Sequence, residues 1–494
     1  MLQRIREWLT VALLFLLPLH ALLVTVGTKL LVGPGHAPLT SFALWKEVVL
    51  AVIVLIALIE IFLGRTRRDP WSLDVIDWTI LAGIVLAAVI ALSPVSAAQS
   101  GGFLALLKLH LSASDKQFLM GFKYDFLPLC VFLVLRRVSW SEAFFRRATM
   151  GIVGVAALVA VYGLITWALP MSFFTALGYS DLHSLYVASG PLAPFQQVEG
   201  TMIRRLQSTM SGPNQLGLWL LIPFSMVLVQ LVGREAGSGK REAVSIVILL
   251  LLLAALLFTF SRAAWIAAFV ILCFVVLPPI IRRARTSVTM RMSLILGILA
   301  IIVIGNLGMV FAPKIFVRSQ SFVGHLEKPK EALVTIAAHP FGLGLGTAGP
   351  ASNLQSDTCV FLPLGSDYSW AKDRTDICVF VGGTRRIPAG KACNCPLLTE
   401  NWYLQWGVEM GWAGLVLSVL LAFLVLRRLA GELKIAEAMQ VKQLSIINYQ
   451  LSIFLAFLGI ALAGLFLHSF EDGAVAYTVW TLISAGLSYG NGKS

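Results

Sequence analysis

The feature of this 494-residue chain that most limits its fold is a series of unbroken apolar runs, each near the roughly twenty residues an α-helix needs to cross bilayer hydrocarbon. The first ends near Val32, and others lie near 43–63, 76–97, 117–135, 148–169, 214–232, 243–260, 263–281, 293–311, 402–426, 447–467 and 474–490, each bounded by charge, Gly or Pro. Strands of a membrane barrel would instead alternate apolar and polar over about ten residues. Hydrophobic residues make up 58% of the chain and charged ones 13%, against roughly a quarter charged in soluble domains. Disordered, collagen-like and disulfide-stapled secreted chains are thereby excluded. The expectation is an all-α, multi-pass membrane bundle of about twelve transmembrane helices.

The chain carries 38 Lys+Arg against 25 Asp+Glu, a net charge of +13. In a soluble protein that balance would suggest nucleic acid. Here the basic residues gather in alternate joints: Arg65, Arg67 and Arg68; Arg136, Arg137, Arg146 and Arg147; Arg234, Lys240 and Arg241; Arg282, Arg283, Arg285 and Arg291; Arg427, Arg428, Lys434 and Lys442. By the positive-inside rule these joints and both termini are cytoplasmic, and no nucleic-acid partner is expected. Arg4 and Arg6 precede a first run without a small-residue cleavage site, which reads as an uncleaved span. Two long joints, 170–212 and 312–400, fall on the outer face, the second between helices 9 and 10. The chain thus divides into 1–311, holding helices 1–9 and the outer loop 170–212; 312–400, a large outer loop; and 401–494, holding helices 10–12.

Cys130 and Cys273 sit in apolar runs and read as packing residues. Cys359, Cys378, Cys393 and Cys395 all fall in the large outer loop, an oxidising setting in which one or two disulfides are expected. Three pairings are open. A zinc site fits less well, because Cys393 and Cys395 are spaced C-x-C and lack paired ligands elsewhere. The seven His show no metal-type spacing either.

Four outer-face clusters carry groups that are expensive at a membrane boundary. Arg204 and Arg205 precede Gly212-Pro213-Asn214, where Asn214 can cap a helix start; the two guanidiniums suit a phosphate, and equally suit lipid headgroups. Ser261-Arg262 interrupts an apolar stretch too long for one crossing, so a hairpin turn pins Arg262 at the interface, as an anion site or a snorkelling anchor. The glycine-rich segment Pro340 to Gly349 lacks the Gly-Lys-Ser/Thr of a nucleotide loop and reads as a close-packed re-entrant or surface turn. In the fourth, Glu400 precedes Asn401, Gln405 and Glu409, which form one polar stripe at helical spacing. Glu400 can act as a base or merely favour the helix N-terminus.

Taken in order, Arg205 with Gly212-Pro213-Asn214-Gln215-Leu216-Gly217, Ser261-Arg262, the Pro340 to Gly346 turn, and Asn401 followed by Gly411-x-x-Gly414 resemble the bacterial O-antigen ligase and polymerase superfamily. The resemblance spans about 200–415. It implies a bacterial inner-membrane glycosyltransferase that moves a glycan from a polyprenyl-diphosphate carrier to an acceptor hydroxyl of a glycan, lipid or protein. Arg205 and Arg262 would neutralise the departing diphosphate, Arg204, Asn214, Ser261 and Asn401 would line the substrate, and Glu400 would take the acceptor's proton, with inversion. His325 is the second choice as base. The resemblance implies no metal and no cofactor, in keeping with a chain that has no Asp-x-Asp motif. One departure is plain: family ligases place His where this chain has Glu400, a form closer to polymerase-like branches. The four-Cys stretch is not part of the family pattern.

A transporter or flippase of lipid-linked glycan is the rival reading. It would line a mid-membrane path with charge, whereas the only mid-span charges of note here are Glu60, Lys123 and Asp125, and no matched pair of broken helices stands out.

Overall fold

The computed structural model describes residues 1–64, 72–92, 113–184, 190–198, 201–232, 239–286, 319–353, 356–362, 364–372, 377–388, 392–438 and 444–490. Single-turn helices aside, its helices are α1 Leu2–Leu16, α2 His20–Val32, α3 Trp45–Phe62, α4 Val75–Leu92, α5 Ala113–Asp125, α6 Leu127–Leu135, α7 Glu142–Trp167, α8 Pro213–Val232, α9 Gly239–Phe258, α10 Arg262–Thr286, α11 Ser319–Ala338, α12 Trp402–Ala438, α13 Leu444–Ala463 and α14 Gly473–Gly490. Strands β1 Gln196–Gln197 and β2 Arg204–Arg205 pair antiparallel. β3 Thr358–Leu362, β4 Ile377–Val381 and β5 Thr384–Ile387 form a second sheet, parallel between β3 and β4 and antiparallel between β4 and β5. The expected all-α architecture therefore gains two small sheets, both in the long joints between apolar runs.

Among the described residues, six helices are long and apolar enough to cross a membrane, or seven if α5 and α6 count as one bent span. Four further apolar helices, Glu242–Phe258, Arg262–Leu277, Ile447–Ala463 and Gly473–Ser488, are shorter. The run expected at 293–311 lies outside the described residues. Val48, Leu55, Leu158, Leu250, Val416 and Phe423 are exposed on the outside of these helices. An apolar outer surface is what lipid contact demands, since every backbone polar group is already satisfied within the helix. The chain is a multi-pass helical membrane protein.

Burial identifies the centre of the bundle. Of the α8 span 78% is buried, against 22% for Thr40–Phe62. α8 is apolar on all sides, the pattern of a helix without a solvent face, and it is packed by α7, α9, α10, α13 and α14.

Some basic residues read as cytoplasmic labels also join helices. Arg6 is fully buried; its Nε meets Glu60 of α3 at 2.9 Å and its guanidinium lies 4.2 Å over the Trp140 ring. Arg136 meets Asp77 of α4 at 2.8 Å and Asp74 at 2.5 Å. These charges leave water only because each finds a carboxylate partner.

Two of the described spans are broken. α5 and α6 bend by 43° at Phe126, two residues before Pro128, whose ring nitrogen has no hydrogen to give. α12 leaves helical geometry at Met410 and Gly411, where Gly411 has φ 69°. The two breaks touch: Trp406 Nε1 donates to Asp125 Oδ1 at 3.0 Å, and the Phe126 and Trp406 rings lie 5.0 Å apart.

Candidate active site

A break in a helix strands carbonyls that need donors. Here the glycine-rich segment supplies them. Leu343 N donates to Val408 O and Gly344 N to Glu409 O, both at 2.9 Å, while Trp412 N returns to Pro340 O at 3.2 Å. The Glu409 side chain then accepts from Gly346 N at 2.9 Å and Ala348 N at 3.3 Å. A Cβ on Gly342 would collide with the Glu409 carbonyl, and one on Gly411 with the Pro340 carbonyl. The segment is a close-packed turn inserted against the break.

Arg205 is held by three acceptors. Its Nε donates to Thr259 O at 3.0 Å, Nη1 to Gln196 Oε1 at 3.1 Å and Nη2 to Asn214 Oδ1 at 2.7 Å. Thr259 lies in the α9–α10 turn that carries Ser261-Arg262, and the backbone seals the same junction through Leu206 N to Phe258 O at 2.7 Å. Two acceptors nine residues away on either side and one 54 residues away thus converge on one guanidinium. Arg262 opens α10, and the Ser261 hydroxyl beside it is buried and finds no hydrogen-bond partner among the described residues. Phe260, with φ 51°, makes the tight reversal between α9 and α10. Asn214 does not cap α8 as expected: it lies inside the first turn, and its oxygen serves Arg205.

Arg204 faces the other way, as neighbouring strand residues must. Its guanidinium stacks 4.4 Å over Phe195 and bonds the Leu169 carbonyl. A small, shallow pocket lies there, lined by Trp167, Phe174 and Phe195 and edged by both Arg204 and Arg205. The strand leads into a loop stitched to distant elements: Ser208 Oγ to Val159 O at 2.7 Å, Thr209 Oγ1 to Pro18 O at 2.7 Å, and Ser211 Oγ to Asp472 Oδ2 at 3.1 Å.

Glu400 stands just before α12 with φ 49°, and its Oε1 meets Lys328 Nζ of α11 at 2.9 Å. The helix cap is Asn401 instead, whose Oδ1 accepts from Leu404 N at 2.9 Å while Nδ2 donates to Leu465 O at 3.0 Å. Trp402 N donates to Gly464 O at 2.8 Å, so the turn after α13 is zipped to the start of α12. His468 of that turn meets Gln405 Oε1 through Nδ1 at 2.6 Å. Burial holds the His468 imidazole down at about 4, with Glu400 opposing and Lys328 adding to the shift. The stripe Asn401, Gln405 and Glu409 is buried throughout and does not face lipid. His325 lies in α11 at a position whose side chain is outside the described residues.

The structure pairs Cys359 with Cys395 and Cys378 with Cys393. Cys359 and Cys378 are register partners on adjacent strands, so the C-x-C pair takes one strand each. The inner face of this sheet packs Ile377, Val379, Val381 and Ile387. Among the described residues, no group of three or more His, Cys, Asp or Glu side chains is arranged to hold a metal ion.

Sequence reasoning did not single out Lys328 as the partner of Glu400, nor the cluster in which Lys46 meets His20 at 2.9 Å and Lys123 meets Glu47 at 2.9 Å. The adjacent charges Lys46-Glu47 at the start of an apolar run were the available signal.

Among curated proteins no match is found. A family model described as O-antigen ligase, Wzy_C, matches residues 247–362, from α9 through Ser261-Arg262 and the glycine-rich turn into β3. Over this stretch the chain is similar to the O-antigen ligase family, which supports the resemblance to the O-antigen ligase and polymerase superfamily.

Proposed function

We propose that this protein transfers a glycan from a polyprenyl-diphosphate carrier to an acceptor hydroxyl at the outer face of the bacterial cytoplasmic membrane, with inversion and without a metal. The family match supports a membrane glycosyltransferase of the O-antigen ligase and polymerase type. The observation that carries the finer reading is the fixed guanidinium of Arg205, clamped between Gln196, Asn214 and the Thr259 carbonyl beside Ser261-Arg262. A preorganised cation at the interface meets a diphosphate there without reorganising, and it stabilises the negative charge that develops as the bond to the anomeric carbon breaks.

In this reading the prenyl tail lies in lipid, Arg205 and Arg262 receive the diphosphate, and Glu400 takes the proton of the incoming hydroxyl. The hydroxyl oxygen forms its bond to the anomeric carbon as the bond to the diphosphate oxygen breaks. Lys328 keeps the Glu400 carboxylate oriented. Asn214 and Asn401 act by positioning, the first on Arg205 and the second on the start of α12.

The test is acceptor-dependent release of polyprenyl diphosphate by purified protein in the presence of a lipid-linked glycan. Release that is lost in Arg205→Ala and Arg262→Ala supports the reading. Movement of lipid-linked glycan across vesicles without release would establish a transporter in its place.

A further inference from the structure

Where the turn after α13 meets the start of α12, two side chains that the proposed reaction does not use bond to each other and leave polar groups over. Gln405 is fully buried and His468 partly so. They meet through His468 Nδ1 and Gln405 Oε1 at 2.6 Å. The far ring nitrogen, His468 Nε2, and the amide nitrogen of Gln405 are both buried and find no hydrogen-bond partner among the described residues. Hydrogen-bond arithmetic says what would satisfy them. With the Gln405 oxygen toward the ring, Nδ1 carries the proton, Nε2 offers a lone pair, and the amide nitrogen keeps N–H groups to give. Turning the amide over exchanges the roles but not the sum: Nδ1 then accepts, Nε2 carries the proton, and the amide oxygen is left over. Either way the pair retains at least one donor and one acceptor. An ionised phosphate only accepts and an ammonium only donates, so each would leave a group unmatched. A hydroxyl does both.

We infer that Gln405 and His468 form a hydroxyl-binding subsite for the acceptor, and that the acceptor is a sugar presenting a second hydroxyl beside the one that attacks. This deepens the proposed transfer and rests on it. In a sugar, one hydroxyl gives its proton to Glu400 while a neighbour is held by the pair. A fatty alcohol or a seryl side chain has no second hydroxyl to offer. Gln405 and His468 make and break no bond of the substrate; they select and orient it.

Position assigns the subsite to the acceptor. Trp402 N donates to Gly464 O at 2.8 Å and Asn401 Nδ2 to Leu465 O at 3.0 Å. The turn that carries His468 is therefore fixed to the residues that directly follow Glu400. Glu400 and Lys328 are also the charged groups that act on the His468 ring. The Arg205 guanidinium, which would receive the diphosphate of the donor, is clamped by other elements: β1, α8 and the α9–α10 turn. The inserted turn shapes the subsite from a third side. A Cβ on Gly349 would collide with the Gln405 amide, so glycine there lets the turn close on the amide without displacing it.

The experiment is the transfer assay on purified full-length protein with a panel of alkyl pyranosides as acceptors, beside a long-chain alcohol and a seryl peptide that each offer a lone hydroxyl. The expected kcat/KM is at least about tenfold higher for the best pyranoside than for the lone-hydroxyl acceptors, the scale of one hydrogen bond to a buried group. Replacing one particular hydroxyl of that pyranoside by hydrogen should bring it down to their level. In Gln405→Leu and His468→Phe the preference should collapse; a merely structural role would lower all acceptors alike and leave the ratio intact. Equal use of pyranosides and lone hydroxyls by the wild-type protein, a full set of deoxy forms used as well as the parent, or a preference kept in both variants would overturn the subsite and mean that the pair holds only water. The wild-type comparisons decide the matter where a variant does not fold. Absence of transfer to every acceptor is a different outcome, which removes the transferase reading itself and the subsite with it.

Discussion

Arg205 and Asn214 are joined by a 2.7 Å hydrogen bond, and that bond ties β2 to the first turn of the central helix α8. With the Thr259 carbonyl as a second tether, the guanidinium has one orientation. Asn214→Ala removes an acceptor from a charged donor, a loss of about 1.5–3 kcal/mol. If Arg205 receives the diphosphate, transfer falls about ten- to a hundredfold while the protein still folds. Arg205→Lys is expected to do no better, because an ammonium cannot reach three acceptors in one plane. Steady-state transfer rates for the two variants check this. Unchanged rates in both would remove Arg205 from the mechanism.

Glu400 offers a sharper contrast. As the base it contributes roughly 10²–10⁴-fold, so Glu400→Gln is expected to lose that factor in transfer while retaining binding of the lipid-linked donor. Lys328→Met disturbs only orientation and is expected to cost less. Equal losses in the two variants, or a Gln variant that transfers normally, would move the proton acceptor elsewhere.

The outer sheet module makes a prediction about redox state. Its core is small, and small cores depend on cross-links. Removing Cys378–Cys393, which closes 15 residues, costs about 3 kcal/mol on the loop-entropy scale, and Cys359–Cys395, which closes 36, slightly more. Peptide mapping without reductant is expected to recover these two linked pairs. Reduction should then expose 356–397 to protease before the helices are cut. Any other pairing in the map would contradict the structure.

How far the sequence could be read depended on the range of the forces involved. The apolar runs report a one-dimensional quantity, length in hydrocarbon, so the helices were legible, as was the turn at Ser261-Arg262. The convergence of Arg205 and Asn214 on that turn was implied only by motif order, because nothing local records that β2 folds back over the α9–α10 junction. The breaks were less legible still. Gly411 looks like any glycine in an apolar run until the inserted turn is known to donate to Val408 and Glu409. Asp125 gave no local sign of meeting Trp406, since 281 residues separate them. Arg6 shows the opposite error: near the N-terminus it reads as a charge left in water, yet Glu60 draws it fully inside.

Gly411 tests the inserted turn. Its φ of 69° is one that L side chains adopt at a cost of about 1–3 kcal/mol, and a Cβ there meets the Pro340 carbonyl. Gly411→Ala is therefore expected to lower thermal stability by more than the strain alone and to raise exchange at the amides of Leu343 and Gly344. A glycine whose neighbours are open, such as Gly431, supplies the control: Gly431→Ala should be neutral or slightly stabilising. Equal melting of both variants would mean the turn is not docked on the break.

The last prediction follows from His468. Burial holds its folded-state pKa at about 4, below the roughly 6.5 of an unfolded histidine. Between these values the unfolded chain binds a proton that the folded one refuses, so stability rises with pH across this window and is lost as pH falls from about 6.5 towards 4. The contribution is on the order of 1–3 kcal/mol. Asp472, whose carboxyl burial pushes up, acts in the opposite direction, as does Glu471. The informative quantity is thus the difference between the wild-type protein and His468→Gln, which removes the titration. Melting temperatures from pH 7 to pH 4 should fall more steeply in the wild-type protein than in the variant. Parallel curves would show that the imidazole is hydrated and free to take a proton in the folded state.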